Sequence, residues 1–317
     1  YVDGSLRHSA SAATNGLVQI SGIELNNCSD TLSLGSIRAR LDVLQDNARI
    51  SLESDYLNAS YEGSSSPAQA LRDIQALTTR KQLPVLYKDA VEDTRTSGTT
   101  YAIHLDLHNP YDIVSMLKPS LYVSDSTYAD INVDANGLLS GKISSPRIAF
   151  NGNYLKNARI DFDNFDCLNA GISGESLYLG GIVMSSPALT AYVQNNGFNI
   201  QLHYDTLEGI GGYGELYVDG ELSRDKTGQL VVKANPLDSY VSIDNNVWEF
   251  NESEIIVAGK DIKIDNFVVS SGFQRLMIDG GLSVNKTDTL DIYVDDLELS
   301  LLDEFFQDKV RFSGLAT

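Results

Sequence analysis

The chain is poor in the residues that build disulfide frameworks, metal centres and membrane-spanning helices. It has only two cysteines in 317 residues, Cys28 and Cys167, which are too few for a disulfide framework and lack the spacing of a metal site. One disulfide bond or two buried thiols are both compatible with this pair, so it leaves the compartment open. No run approaches the roughly 18 to 20 consecutive apolar residues that a membrane-spanning helix needs.

Basic residues are also scarce. The chain has 23 Lys and Arg against 43 Asp and Glu, which gives a formal net charge of -20 at pH 7. Such an acidic surface repels phosphate backbones, and no basic cluster interrupts it, so we do not expect a nucleic-acid partner. The same charge disfavours electrostatic adhesion to anionic lipid headgroups. Any contact with lipid is therefore expected to use apolar surface.

The chain has only 7 prolines, and short apolar runs are separated by Asp, Asn and Gly. This spacing predicts an all-β fold in which successive strands are antiparallel neighbours. The pairs Asn136-Gly137, Asn196-Gly197 and Asp279-Gly280 supply residues that adopt the positive φ of tight turns and bulges.

A similar strand motif occurs three times: YVDGSL at 1–6, YVDGEL at 217–222 and MIDGGL at 277–282. Around the second and third copies, the even positions are apolar or glycine and the odd positions are mostly polar. Because side chains alternate along a strand, these runs predict a sheet with one apolar face. We predict that this face is lined by Leu216, Val218, Leu222, Leu276, Ile278, Leu282 and Val284, and by Leu290, Ile292 and Val294 of the next strand.

A longer repeat links NARISLESDYLNASYEG at 47–63 to NARIDFDNFDCLNAGISG at 157–174. Motifs that recur at a fixed distance indicate duplicated supersecondary units, although chance similarity among many β-strands is the alternative. We therefore expect residues 1–317 to form one continuous, repetitive fragment of a longer protein.

Three segments interrupt the β pattern and predict short helices near 67–79, 110–118 and 301–308. The first begins at Ser66-Pro67, which supplies an N-cap and a proline at the first helical position. Its apolar stripe is Ala70, Leu71, Ile74 and Leu77. Because a short helix with a narrow apolar stripe must bury that stripe, we expect these helices to lie over the apolar face or its edge.

Two patterns resemble metal sites only in part. His104, Asp106 and His108 alternate in IHLDLH and share one face of a strand, which suits zinc or iron, but a polar outward face explains them equally simply. The series from Asp130 to Gly137 resembles a calcium loop, but Ile143 stands where the loop needs an acidic ligand. We therefore predict no metal site.

No catalytic constellation is evident either. GIGGYG at 209–214 resembles a phosphate-binding loop but precedes a strand, where no helix N-terminus is available for an anion. Serines are plentiful, but none lies in Gly-x-Ser-x-Gly. We expect a protein that is not an enzyme and that needs no cofactor.

One region resembles a known family. Residues 248–302 are similar to the C-terminal repeat region of the TamB (translocation and assembly module) family, in the AsmA-like superfamily of bridge-like lipid-transfer proteins. The resemblance is carried by Trp248, by the strand at 263–267, by the turn at 270–272, by the strand at 276–280, and by residues 289–302, which end in Leu-x-Leu-Ser-Leu-Leu. The resemblance lies in the succession of strands and turns, and the earlier segments show the same succession across most of the chain.

The resemblance implies an elongated, curled antiparallel β-sheet, the β-taco, with an apolar concave interior. It further implies a periplasmic segment of a protein anchored in the inner membrane by a missing N-terminal helix. Such proteins carry phospholipid between the inner and outer membranes and assist outer-membrane protein assembly with an Omp85-type barrel partner. The acidic charge and the inserted helices depart from the family pattern, and the helices are expected to fill part of the groove.

Three other interpretations remain open from the sequence. A scaffold or chaperone would pair its edge strands with unfolded outer-membrane β-proteins. A β-solenoid enzyme acting on polysaccharide would place carboxylates and aromatic residues on an exposed face. A β-sandwich would bury the same alternating face against a second sheet.

Overall fold

The computed structural model of the chain consists of two compact units, described separately below. The first unit comprises residues 1–79 and 91–166, and the second comprises residues 80–90 and 167–317. The structure describes residues 2–8, 13–26, 31–33, 35–44, 47–87, 98–179, 182–205, 212–243, 246–283, 288–298 and 314–316. Strands dominate and pair antiparallel in curled sheets with two short α-helices, so the all-β prediction is confirmed.

The described residues of the first unit form twelve strands. They are β1 (Val2–His8), β2 (Ala13–Ser21), β3 (Glu24–Asn26), β4 (Thr31–Ser33), β5 (Ser36–Leu44), β6 (Asn47–Ser54), β7 (Leu57–Gly63), β8 (Tyr101–Leu107), β9 (Leu121–Val123), β10 (Thr127–Val133), β11 (Leu139–Phe150) and β12 (Asn153–Asp163). Its two α-helices are α1 (Pro67–Gln75) and α2 (Tyr111–Leu117). A π-helical turn, Ala76–Arg80, follows α1 along the chain.

The second unit contains the remaining fourteen strands of the described chain and a 3-10 helix at Pro84–Leu86. They are β13 (Leu168–Ser173), β14 (Ser176–Leu179), β15 (Ile182–Gln194), β16 (Gly197–Asp205), β17 (Gly214–Arg224), β18 (Leu230–Pro236), β19 (Ser239–Ile243), β20 (Asn246–Phe250), β21 (Glu254–Ala258), β22 (Asp261–Ser271), β23 (Gln274–Leu282), β24 (Leu290–Asp295), β25 (Leu297–Glu298) and β26 (Leu315–Ala316).

The first unit's sheet has the order β1-β2-β5-β6-β7-β8-β10-β11-β12, with β9 beside the second half of β11. Opposite residues in antiparallel strands project from the same side. One such row joins Ile50, Tyr61, Ile103, Ile131 and, beyond Gly141, Phe162. This sheet therefore has one apolar face.

Helix α1 covers part of that face. Ser66 caps it by accepting a hydrogen bond from the backbone N–H of Gln69 at 3.2 Å, and Pro67 begins it, both as the sequence predicts. Ala70 is fully buried, and Ile74 and Leu77 pack in the same cluster as the row through Tyr61. Leu71 is 64% exposed, so its predicted place in the buried stripe is wrong.

The second unit's sheet has the order β13-β15-β16-β17-β18-β21-β22-β23-β24. Strand β17 pairs with β18 along one half and with β19 along the other, and β22 likewise pairs with β21 and then with β20. Strands β19 and β20 form a hairpin with each other. Strand β14 pairs with the first residues of β15.

The predicted turn residues adopt the expected conformations. Asn196, Gly137 and Gly280 all have positive φ, at 68°, 83° and 105°. Gly280 does not reverse the chain, because it lies inside β23, where the backbone N–H of Gly281 donates to the Thr289 carbonyl. The predicted helix near 110–118 is confirmed as α2, whereas the one near 301–308 lies outside the described residues.

Candidate functional site

The second unit carries one continuous apolar face. Its register places Leu222, Val232, Val257, Ile262 and Leu282 in one row across five strands. Neighbouring rows are also formed by apolar residues and glycine: Val193, Phe198, Gly220, Ala234, Ile255, Ile264, Gly280 and Leu290; then Ala191, Ile200, Val218 and Pro236; then Leu189, Leu202 and Leu216. The face thus extends over eight neighbouring strands.

The lining residues predicted from the sequence lie on this face wherever they are described. Leu216, Val218 and Leu222 alternate along β17. On the last two strands, three pairings bring the others together: Leu276 with Val294, Ile278 with Ile292, and Gly280 with Leu290. Val284 lies outside the described residues.

Part of the face is filled by a compact cluster. Met184, Tyr204, Val241, Trp248 and Val269 are buried together, and side chains from the flanking rows pack against them: Leu177, Leu202, Leu216, Phe250, Phe267 and Leu297. Trp248 is only 6% exposed. Its position follows from the register, because Gly214, Val241 and Trp248 are opposite one another on β17, β19 and β20.

Away from the cluster, the face is accessible in the described structure. Leu282 is 51% exposed, Ile292 is 59% exposed and Ile262 is 39% exposed. Single exposed aliphatic side chains are ordinary on protein surfaces, but these belong to continuous apolar rows. The accessible part of the face therefore presents aliphatic surface to whatever occupies it.

The opposite side of the same strands is polar and acidic. Asp219 and Asp279 alternate with Val218 and Ile278, and an ion pair joins Lys233 to Glu254. This hydrogen-bonded pair raises the pKa of Lys233. The sheet thus separates an apolar side from a charged one, as the alternating sequence predicts.

Aromatic rings cover glycines on both apolar faces. Four cross-strand pairs show this arrangement: Gly63 with Tyr101, Gly141 with Phe162, Gly214 with Tyr204, and Gly220 with Phe198. A Cβ added to Gly141 would lie 2.1 Å from Cζ of Phe162, so the ring occupies the space above the glycine. The missing side chain lets the ring lie against the backbone, which keeps the apolar wall closely packed.

The side chains of the two partial metal patterns contact other groups of the described chain. His104 and Asp130 contact each other at 2.6 Å between Nδ1 and Oδ1 on adjacent strands, and both side chains are about half exposed. Asp134 forms a turn in which Oδ1 accepts the backbone N–H groups of Asn136 and Leu138, each at 2.8 Å. No group of three His, Cys, Asp or Glu suited to a metal ion occurs among the described residues.

Much of the apolar face was missing from the sequence prediction. Strands β18, β21 and β22 contribute Val232, Val257 and Ile262 to the face. Only β22 is long enough to show alternation clearly, and in β22 the apolar positions change from even to odd numbers. Its pairing with β23 shifts between Ile264 and Phe267, and Asn266 has positive φ in this bulge. The signal that could have revealed it is a two-residue polar step, Asp265-Asn266, between two alternating apolar runs.

Comparisons of the chain with protein-family models, with curated proteins and with solved structures found no match. Within the described ranges, neither α-helix has the length and apolar character needed to cross a membrane. The fold and the apolar faces are therefore the observations on which a functional proposal rests.

Proposed function

We propose that this chain is a segment of a bridge-like lipid-transfer protein that carries phospholipid along an apolar β-groove without catalysing a reaction. The observation that carries the proposal is the apolar face of the second unit, which continues across eight strands in register and is accessible at Ile262, Leu282 and Ile292. A lipid-transfer surface requires length and apolar continuity, and both are present.

The energetics suit a carrier. Removing an acyl chain from water stabilises the complex by about 0.8 kcal/mol per methylene, so an aliphatic trough binds lipid without specific contacts. Interchangeable Leu, Ile and Val line the face, and the charged side of the sheet faces away from it. The acidic charge of -20 leaves acyl chains, rather than anionic headgroups, as the part that is recognised.

The biological setting follows from the sequence resemblance. We place the chain in the TamB family, as a periplasmic segment of a protein anchored in the inner membrane. In this setting it moves phospholipid between the inner and outer membranes, with an Omp85-type outer-membrane barrel as its partner.

A photo-crosslinking experiment tests the carrier directly. Ile292 and Tyr293 are adjacent on β24, are 59% and 57% exposed, and lie on opposite sides of the sheet. A benzophenone side chain at position 292 is expected to capture labelled phospholipid, whereas the same group at position 293 is not. Equal capture at both positions, or capture at neither, would contradict the proposal.

A second function is favoured by the edge of the second unit's sheet. Strand β24 pairs with β23, and no other described strand pairs with it, so its outer edge suits β-strand addition by an unfolded outer-membrane protein. Tyr293→Pro would remove a backbone donor from β24 or distort this edge. If the chain is a chaperone, this substitution is expected to abolish binding of its client. If the chain is a lipid carrier, a benzophenone group at position 292 captures lipid in the otherwise unchanged protein.

A further inference from the structure

The hairpin of β19 and β20 in the second unit borders a concave site. A cavity of about 680 Å³ is lined by Tyr213, Asp238, Ser239, Tyr240, Val247, Glu249, Phe250 and Asn251. This volume is within the range of small-molecule sites. Its walls combine aromatic rings with carboxylates, and none of the lining residues is Lys or Arg.

The pairing of β17, β19 and β20 brings the side chains of the site together. Tyr240 is directly opposite Glu215 on β17 and directly opposite Glu249 on β20, so its side chain stands between two carboxylates on one side of the sheet. Tyr213 meets Tyr240 edge to face, with ring centroids 6.1 Å apart. The backbone N–H of Ser242 donates to the Tyr213 carbonyl at 2.7 Å and fixes this residue beside the site.

The carboxylates of the site differ in their contacts with the described residues. Glu215 accepts a hydrogen bond from the Tyr217 hydroxyl at 2.9 Å, and this hydrogen bond raises the pKa of Tyr217. The Glu215 carboxylate also lies 3.4 Å from Nδ1 of His203. The carboxylates of Asp238 and Glu249 form no ion pair with any described residue.

We infer that this cavity binds an organic cation that carries an alkylammonium group. The face of Tyr240 attracts the cation through the ring quadrupole, while Glu249 and Asp238 supply opposite charge at the rim. A metal ion fits less well, because hard cations require several oxygen ligands close together, and no group of three acidic or imidazole side chains converges among the described residues of the site. The inferred ligand is a cation, whereas the proposed lipid carriage uses acyl chains, so choline binding does not rest on the proposed function.

Choline and its neutral isostere 3,3-dimethylbutan-1-ol provide the test, because they differ at one atom and in charge. Saturation-transfer NMR on the full chain is expected to show saturable binding of choline and binding at least about tenfold weaker for the alcohol, since the cation–π and ionic contributions are lost together. Equal binding of the two probes, or no saturable choline binding, would overturn the inference.

Two variants locate the binding, and one serves as a control. Glu249→Gln, which changes an exposed side chain and preserves packing, is expected to weaken choline binding severalfold, and Tyr240→Leu is expected to abolish it. Tyr293→Leu is the control, because Tyr293 lies between Asp291 and Asp295 on β24 but lines no part of the cavity. If Glu249→Gln binds choline as the unchanged protein does, the assignment is wrong.

Discussion

At the scale of single residues, glycine is as important to the apolar faces as the aliphatic side chains. Phe162 lies over Gly141, and Phe198 lies over Gly220, each pair directly opposite across two strands. A larger residue at either glycine would displace the ring and open the wall. These glycines are therefore packing positions, although neither has a positive φ.

Gly141→Ala is expected to destabilise the first unit by about 1–3 kcal/mol, because the new methyl group collides with the Phe162 ring. Urea unfolding measures the effect. Gly4→Ala is the matched control, since its Cβ would meet Val18 Cγ2 at an ordinary 3.4 Å. In a Phe162→Leu background the cost of Gly141→Ala is expected to shrink, and an unchanged cost would refute the ring contact as its cause.

Asp134 gives a pH prediction of definite sign. Its pKa is lowered from the ordinary 3.8, chiefly by the backbone N–H of Leu138, so the native state favours the carboxylate. This contribution is present above the ordinary pKa and is lost as pH falls through the lowered value. The test compares the unfolding midpoints of the unchanged protein and of Asp134→Ala as the pH is lowered through these pKa values. The difference between the two midpoints should narrow in acid, and a constant difference would disprove the prediction.

At the scale of secondary-structure elements, α1 shows how a short helix depends on its surroundings. Its nine residues are too few to be stable alone in water, so burial of Ala70 and Ile74 on the sheet stabilises it. The Ser66 cap satisfies one backbone N–H at its beginning. Cap and packing together fix where this helix lies.

Ser66→Ala is expected to cost about 1 kcal/mol of unfolding free energy in the first unit, because the Gln69 N–H loses its side-chain acceptor. Chemical unfolding measures the change. Ser140→Ala on the exposed side of β11 should change the stability little. Equal effects of the two substitutions would show that the cap contributes nothing specific.

The sequence predicts elements well where one local pattern decides them and poorly where pairing decides them. Alternation identifies β17 and β23, and Ser66-Pro67 identifies the beginning of α1. Strand β11 contains Pro146, yet its pairing with β12 continues in one register from Ser140 to Phe150. The bulge in β22 leaves one local signal, the polar step Asp265-Asn266, whereas the aromatic cavity depends on strand pairing that no local pattern predicts.

At the scale of the whole molecule, the two units follow one plan, in which an antiparallel sheet presents an apolar face partly filled by a buried cluster. Helix α1 contributes to that cluster in the first unit, and Trp248 contributes to it in the second. The repeat at 47–63 and 157–174 is a strand, a turn and a second strand in each copy. The repetitive organisation and the single continuous fragment over 1–317 both remain predictions.

Lipid transfer between vesicles tests the molecule as a carrier. Ile278→Arg places a charge on the apolar face, opposite Phe267, and is expected to lower the transfer rate at least about tenfold because a charge in an apolar trough is poorly solvated. Tyr293→Arg adds the same charge to the other side and should leave the rate unchanged. Circular dichroism and unfolding of both variants establish that the fold is retained.

The most direct test uses the chain's single tryptophan, since Trp248 lies in the cluster that adjoins the apolar rows through Leu202 and Leu216. Its fluorescence is measured with phosphatidylcholine that carries bromine on an acyl chain, which quenches on close approach. The proposed function predicts quenching by the brominated lipid alone, loss of that quenching in Ile278→Arg, and its retention in Tyr293→Arg. No quenching in the unchanged protein, or the same quenching in both variants, would contradict acyl-chain binding on this face.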